Sequence, residues 1–380
     1  MANCWLVLFL LSGLISQLEG FSLKPAMRPD SRAPEQMPVE QSEKKSDSVS
    51  VDHGFIAQAS YLFYQATEDG LDFIQSTDVS GGFPGHIFAD AVVHEPDFHW
   101  KSGFQAGLGY IFSQREQWDL FANWTWYHGD AHNSAAADFA TVASRTLRPV
   151  WLPFLMGTAA SQASVDWRVH FNTLDLSVGR DFFIGRWLSM HPRAGFRGGW
   201  ITQRYNASYH GAYLVNGSTV FPLGITSFDA NWHYHAGGLR FGSDAQWYFS
   251  NQFSFLANLY GSILYGKFKV NETFDGGFVI DGGGGPVEIP ETIFFRKEYF
   301  RLRPVLEAEV GLKWQRFFHD RKRKASIGAY YGFSYWFNQN ALVNEFLTLD
   351  LTSGNSFFTL LPLEGSLQLQ GLRVEAALEF

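Results

Sequence analysis

From Gly54 to the last residue, apolar and polar side chains alternate in steps of two. The clearest stretch is Arg301 to Gln315. Leu302, Pro304, Leu306, Ala308, Val310, Leu312 and Trp314 fall on one face, with Arg301, Arg303, Glu307, Glu309, Lys313 and Gln315 on the other. A β-strand sends successive side chains to opposite sides, whereas a helix would spread these charges around its whole circumference. The same pattern recurs where Trp118, Leu120, Ala122, Trp124 and Trp126 alternate with Asp119, Asn123 and Thr125. Phe253, Phe255, Ala257 and Leu259 form another apolar row, and Leu372, Val374, Ala376, Leu378 and Phe380 run against Arg373, Glu375 and Glu379. One segment changes phase. Trp167, Val169 and Phe171 are out of step with Leu174, Leu176 and Val178, and a β-bulge near Asn172 is the expected cause.

The alternation predicts strands near 55–65, 98–112, 117–128, 163–179, 187–205, 230–248, 252–269, 296–316, 324–337 and 366–380. Short connections at 113–116, 180–186, 250–252 and 317–323 alternate with long ones at 66–97, 129–162, 206–229, 271–295 and 338–365. A secreted β-sandwich has short strands and no fixed side for its long connections. An outer-membrane barrel has strands of ~10 residues or more, short turns on the periplasmic rim and long loops on the external rim. No amphipathic helix is present to cover the apolar face, so lipid is its natural solvent. The expected fold is all-β: a transmembrane antiparallel up-and-down β-barrel of about ten strands, with short periplasmic turns and long external loops. If Leu71–Gln75 and Ile87–Val93 pair as a further hairpin, the count becomes about twelve. Aromatics gather near the strand ends, as at Tyr110, Phe112, Trp124, Trp126, Trp187, Trp247 to Phe249, Trp314 and the run Tyr335-Trp336-Phe337, and headgroup girdles account for such placement.

Composition narrows the classes. Of the 380 residues, 46% are hydrophobic, 17% aromatic and 17% charged, with 37 glycines and one cysteine. So aromatic a chain buries enough surface to fold. Beyond the N-terminus no run of ~18 apolar residues offers a membrane helix, and a single cysteine forms no internal disulfide. The net charge of -8 argues against a nucleic-acid partner. Residues 1–20 read as a signal peptide, with an apolar run from Trp5 to Ile15 too short to span a bilayer. Cleavage after Gly20 removes Cys4. Residues 21–53, with Pro25, Pro29, Pro34 and Pro38 before a charged stretch, read as a polar periplasmic tail. Residues 54–380 form the barrel, and the expected location is the outer membrane of a Gram-negative bacterium.

The segment Trp100-x-x-Gly103-Phe104-x-x-Gly107-Leu108-Gly109-Tyr110, followed by Trp118-Asp119-Leu120, resembles the Legionella-type major outer membrane protein family of pore-forming barrels. So do Arg303-Pro304-Val305-Leu306-Glu307, Trp336-Phe337-Asn338-Gln339-Asn340, and Leu369-Gln370-Gly371-Leu372 before the terminal Phe380. The resemblance spans residues 54 to 380. It implies an outer-membrane porin and supplies no catalytic residues. The aromatic carboxyl terminus is similar to the assembly signal of bacterial outer-membrane barrels.

If the barrel closes, the ionic face of 301–315 points into the lumen. Arg301, Arg303, Glu307, Glu309 and Lys313 are the pore-lining candidates, joined by Arg193 and Arg197, which lie in phase opposite Ala194 and Phe196. Mixed charges in a lumen do one of two things. They line a wet constriction for small polar solutes, or they pair and fill it. The first gives passive diffusion of ions and small hydrophilic solutes. The second gives a plugged barrel acting as a structural or adhesive surface protein, whose apolar loops, such as 151–157, fold inward or meet a partner. Outer-membrane lipid is the surrounding partner in both, and a homo-oligomer is left open. No cofactor and no metal site is expected. His233 and His235 share a strand face but have no second ligand cluster assigned to them. His128, Asp130 and Ser134 offer parts of a hydrolase without a recognisable triad spacing, so no enzyme is expected. The glycines at 282–285 do not join a strand to a helix and read as loop. Arg321 to Lys324 read as a solvated periplasmic turn.

Overall fold

The computed structural model describes residues 54–77, 91–112, 118–137, 146–151, 158–185, 187–216, 219–281, 286–318, 323–350 and 355–380. The expected signal peptide and tail, residues 282–285, Arg321 and Lys322 lie outside them. Ten strands close an antiparallel barrel: β1 (Gly54–Glu68), β2 (Trp100–Ile111), β3 (Trp118–Ala136), β4 (Gln162–Arg180), β5 (Leu188–Asn216), β6 (Thr219–Tyr248), β7 (Phe253–Asp281), β8 (Pro286–Phe318), β9 (Arg323–Trp336) and β10 (Leu367–Glu379). Each pairs with its neighbours in sequence, and β1 closes the ring on β10 from Ile56↔Glu379 to Glu68↔Leu367. The terminal residue joins the seam through Phe55 N donating to Phe380 O at 2.7 Å and Phe380 N to Phe55 O at 3.0 Å. Closure leaves no open edge, the condition for a sheet to cross a bilayer.

Side chains divide the barrel along its axis. In the lower part apolar residues face out and polar ones face in. On β5, Met190, Ala194, Phe196 and Trp200 point outward while His191, Arg193 and Arg197 point inward. The rows from Met190 to Trp200 cover about 33 Å of strand, or about 25 Å along the axis at a tilt near 40°, which matches the apolar band of an outer-membrane barrel. Exposed rings bound this band at both ends. Phe55, Phe112, Trp118, Trp187, Trp247, Phe249 and Phe253 mark the periplasmic end, and Phe63, Trp100, Trp124, Trp200, Tyr265 and Phe300 mark the other.

Above the band the pattern inverts. Ile201, Tyr205, Ala207 and Tyr209 turn inward on β5, while Thr202, Arg204, Asn206 and Ser208 face out. On β6, Phe228, Ala230, Trp232 and Tyr234 are inside, and Asp229, Asn231, His233 and His235 are outside. Outside the lipid, the hydrophobic effect drives apolar residues into the barrel instead of out of it.

This inversion corrects two expectations, the bulge and the extent of two long connections. There is no bulge at Asn172: β4 pairs without a shift from Gln162 to Arg180 on one side and from Gln162 to Gly179 on the other. Trp167, Val169 and Phe171 face the interior of the external half, and Leu174, Leu176 and Val178 face lipid, all on one regular strand. The long connections at 206–229 and 271–295 are largely strand. β5 and β6 stay paired to Asn216↔Thr219, with a register irregularity between Tyr209 and Tyr213, and β7 and β8 stay paired to Asp281↔Pro286. The extra hairpin also exists, with Ile74–Thr77 paired to Ala91–His94, but it joins Thr146–Pro149 in a separate three-stranded sheet. The barrel therefore has ten strands and not twelve. Within 338–365, Val343–Asp350 and Asn355–Pro362 form a hairpin of their own.

Candidate functional site

The interior of the lower half is ionic, and its charges come from strands far apart in sequence. Arg197 on β5 donates from Nε and Nη2 to the two oxygens of Asp175 on β4, at 2.6 and 2.7 Å. Its Nη1 lies 2.9 Å from Glu307 Oε2 on β8. Arg240 on β6 donates to the same Glu307 oxygen at 3.1 Å and stacks over the Tyr260 ring at 3.7 Å. The bidentate fork fixes the guanidinium plane as well as its position.

A second group centres on Arg373 of β10. It donates from Nη2 to Glu309 Oε2 at 2.6 Å, pairs with Glu375, and lies 4.4 Å over the ring of Tyr330. Toward the periplasmic end, Arg193 donates to Asp119 at 3.2 Å and lies 3.5 Å from Asp244, while His191 stands between Asp119 and Asp181 at 2.8 and 2.5 Å. Gly179 makes room for this group, because a Cβ there would run into the His191 ring and the Arg193 side chain. Lys324 donates to Glu379 at 2.7 Å near the same rim.

These groups enclose a cavity of about 270 Å³ lined by Arg193, Arg197, Arg240, Glu307, Glu309, Lys313 and Arg373, with Asp175, Asp244 and Glu375 among the acids. The wall carries both signs, so it has the chemistry to hold water and small ions. The burial is also why the charges pair: removing two ions from water is repaid only by close, well-directed partners.

All seven sequence-derived candidates take inward register positions, but the structure separates them. Arg193, Arg197, Glu307, Glu309 and Lys313 line the cavity. Arg303 sits higher, buried, with its guanidinium 5.2 Å over Phe268 and its Nε without a hydrogen-bond partner. Arg301, opposite Gly266, lies higher still and is exposed, 5.6 Å from the Tyr299 ring. Asp175, Arg240, Asp244 and Arg373 were missed. Arg373 stood in a polar row that the sequence displayed, whereas Asp175 lay in the segment whose phase change was misread as a bulge. Arg240 and Asp244 lie in a glycine-rich stretch where the apolar row is thin.

Above the cavity the barrel is closed by inserted chain. Leu71, Phe73 and Ile74, Leu147 and Trp151, and Ala341 and Leu342 pack among Trp167, Tyr205, Tyr209, Phe228, Trp232 and Phe268 of the wall. Trp151 stacks on Phe228 with centroids 4.6 Å apart and donates from Nε1 to Asp72 O at 2.6 Å. Tyr209 donates to Phe73 O at 2.8 Å, Val343 N to Glu272 Oε1 at 2.9 Å, and Asn340 Nδ2 to Asp69 O at 3.0 Å. The first residue of the apolar loop at 151–157 is therefore folded into the lumen. Of the set considered for hydrolysis, His128 faces outward and rests on His170 with centroids 3.9 Å apart, and Asp130 is held by Lys101 at 2.7 Å. His233 and His235 also face out, 6.5 Å apart.

Residues 47–372 match the family model of the Legionella pneumophila major outer membrane protein precursor. No curated protein matches the chain. Similar solved structures include the outer membrane protease OmpT of Escherichia coli, at 10% identity and a TM-score of 0.33, covering 86% of this chain and 96% of that one. A Pseudomonas aeruginosa FadL homologue is 8% identical with a TM-score of 0.22, covering 87% and 90%. The Ralstonia pickettii toluene transporter TbuX is 11% identical with a TM-score of 0.16, covering 87% and 89%.

Proposed function

This chain belongs to the Legionella major outer membrane protein family and is an outer-membrane β-barrel, and on that footing we propose that it is a porin. In this reading, ions and small hydrophilic solutes pass by diffusion through the polar lower lumen, and no reaction is catalysed. The observation that carries the reading is the cavity of about 270 Å³, whose wall presents Arg193, Arg197, Arg240 and Arg373 against Asp175, Asp244, Glu307 and Glu309. These charges pair with one another, and the mixed-sign wall they leave suits water and small ions of either sign. Arg301 lies toward the external end of the charged row, with Lys297 further out on the same face.

The conformation described is closed toward the outside, because the segments carrying Leu71, Phe73, Trp151 and Leu342 fill the external half. Passage then requires those segments to move, which makes them a gate. A second reading takes the same closure as permanent. The barrel would then be a structural or adhesive surface protein, and the observation favouring it is the depth of burial of Phe73, Trp151 and Leu342.

Single-channel recording of the refolded protein in a planar bilayer separates the two. Reproducible conductance steps whose ion selectivity changes on Arg240→Ala support the porin. A folded, inserted barrel that stays silent, both as the natural sequence and as Trp151→Ala, supports the plugged surface protein.

A further inference from the structure

A pair of imidazoles and a carboxylate meet on the outer wall of the barrel, above the lipid-facing band, well away from the lumen. The start of β2 brings them together. Asp97–Phe98 pairs with β3 through Phe98↔Ala131, and β2 proper resumes through Gly103↔Tyr127. The chain thus advances five residues on one side against four on the other, which is a one-residue bulge. Bulges re-aim side chains, and here His99 is turned onto β3, with His99 N donating to Asp130 O at 3.3 Å. The His99 and His132 rings lie 4.6 Å apart by centroid, and His99 Nδ1 stands 3.6 Å from Asp130 Oδ2.

The geometry points to a binding site for a divalent transition cation of the zinc class, held by His99, Asp130 and His132. One ligand atom from each residue lies within 4.8 Å of the others. Two donors of a tetrahedral zinc ion, each about 2.1 Å from the metal, are about 3.4 Å apart. The 3.6 Å separation of His99 Nδ1 and Asp130 Oδ2 is close to that figure and longer than a good hydrogen bond. His99 Nδ1 is also buried without a hydrogen-bond partner, so a lone pair is available there in the appropriate tautomer. Two imidazoles with one carboxylate suit zinc, nickel or ferrous iron better than calcium or magnesium, which prefer all-oxygen shells.

The surroundings fit this assignment. Lys101 Nζ holds Asp130 Oδ1 at 2.7 Å, which fixes the carboxylate and leaves Oδ2 for the cation. His132 is paired in register with Asp97 on one side and Asp166 on the other, and both carboxylates add negative field. Three protein ligands leave at least one coordination position open to water or to a group from outside, and the bound ion would pin the bulged start of β2 to β3. No periodic pattern points to it, since only His233 and His235 stood on one strand face close enough to be weighed. His99 and His132 come together only through the bulge.

The test is a titration of the folded, detergent-solubilised full chain with zinc sulfate by calorimetry, and with cobalt chloride by absorption. One equivalent is expected, with cobalt bands in the visible of a four- or five-coordinate ion. Affinity is expected to fall by about tenfold or more in His99→Asn and in His132→Asn. It is expected to hold in the double variant His233→Asn/His235→Asn. Heat-modified gel migration verifies that each variant is a folded barrel. The proposal is overturned if zinc does not bind, or if it binds equally well in folded His99→Asn and His132→Asn, which would place the ion elsewhere.

Discussion

Arg197 Nη1 and Glu307 Oε2 stand 2.9 Å apart and join β5 to β8, strands separated in the ring by β6 and β7. The contact crosses the interior instead of running along the wall, so the two sides of the barrel are tied at the level of the cavity. Both ends have further partners, Asp175 for the arginine and Arg240 for the glutamate.

Replacing Glu307 by Gln leaves two guanidiniums facing Asp175 alone. Removing one partner of a buried ion pair costs about 3–5 kcal/mol. The urea midpoint of the folded barrel, followed by gel migration, is therefore expected to fall. In a conducting channel the added positive charge shifts selectivity toward anions. An unchanged midpoint would mean that the crossing contact does not hold the barrel.

Trp151→Ala tests the external closure. The indole is buried, stacked on Phe228 and bonded to Asp72 O, and truncating such a ring costs about 3–5 kcal/mol locally. The barrel below does not depend on it. The expected outcome is faster proteolysis within 146–151 with the heat-modified migration unchanged, together with more frequent channel openings. Unaltered proteolysis would show that the segment is held by something other than this ring.

Asp72 and Glu95 lie in the external segments, outside the membrane band, and burial pushes both carboxyls above their ordinary values, with each other's charge lifting Glu95 further. The ordinary values are about 3.9 and about 4.3. A carboxyl whose folded value is raised contributes stability that is fully present below its unfolded value and is lost as pH rises through the folded one. The external closure is therefore expected to tighten as pH falls from neutrality toward about 4. Proteolysis within 146–151 should slow over that window, and Asp72→Asn should remove part of the dependence. Equal rates across the window would mean that these carboxyls titrate normally.

The sequence displayed the strands of the barrel because lipid imposes a strict rule on them: Leu302 to Trp314 and Leu372 to Phe380 are apolar at every outward position. All ten strand positions were legible for that reason. Their external halves were not, because the rule reverses once the strand leaves the lipid. Tyr205 and Tyr209, or Phe228 and Trp232, still alternate with polar neighbours, but in the opposite phase, and so they broke the apolar row instead of extending it. The site was legible one strand at a time. Arg197 and Glu307 could each be assigned to the interior, but that they meet depends on strand order around the ring and on barrel width. His99 and His132 meet through a bulge that leaves no periodic trace.

The reversal on β4 makes a prediction that a bulge would not. Leu176 and Val169 lie on opposite faces of one continuous strand, Leu176 exposed to lipid and Val169 buried inside the external half. Arginine at position 176 places a charge within the hydrocarbon band, at a cost of about 2–4 kcal/mol near its middle and less near its edge. Arginine at position 169 instead enters a packed interior beside Phe171 and Trp167 and loses the valine's packing as well. The two variants should therefore separate by solvent. Leu176→Arg should lower the folded fraction in lipid vesicles while being tolerated in a short-chain detergent whose headgroups reach the strand. Val169→Arg should be destabilised equally in both. Had the strand slipped at Asn172, Leu176 and Val169 would share one face and the two substitutions would respond alike. Paired urea titrations in vesicles and in detergent distinguish these outcomes, and parallel behaviour of the two variants would sink the inverted-face account of β4.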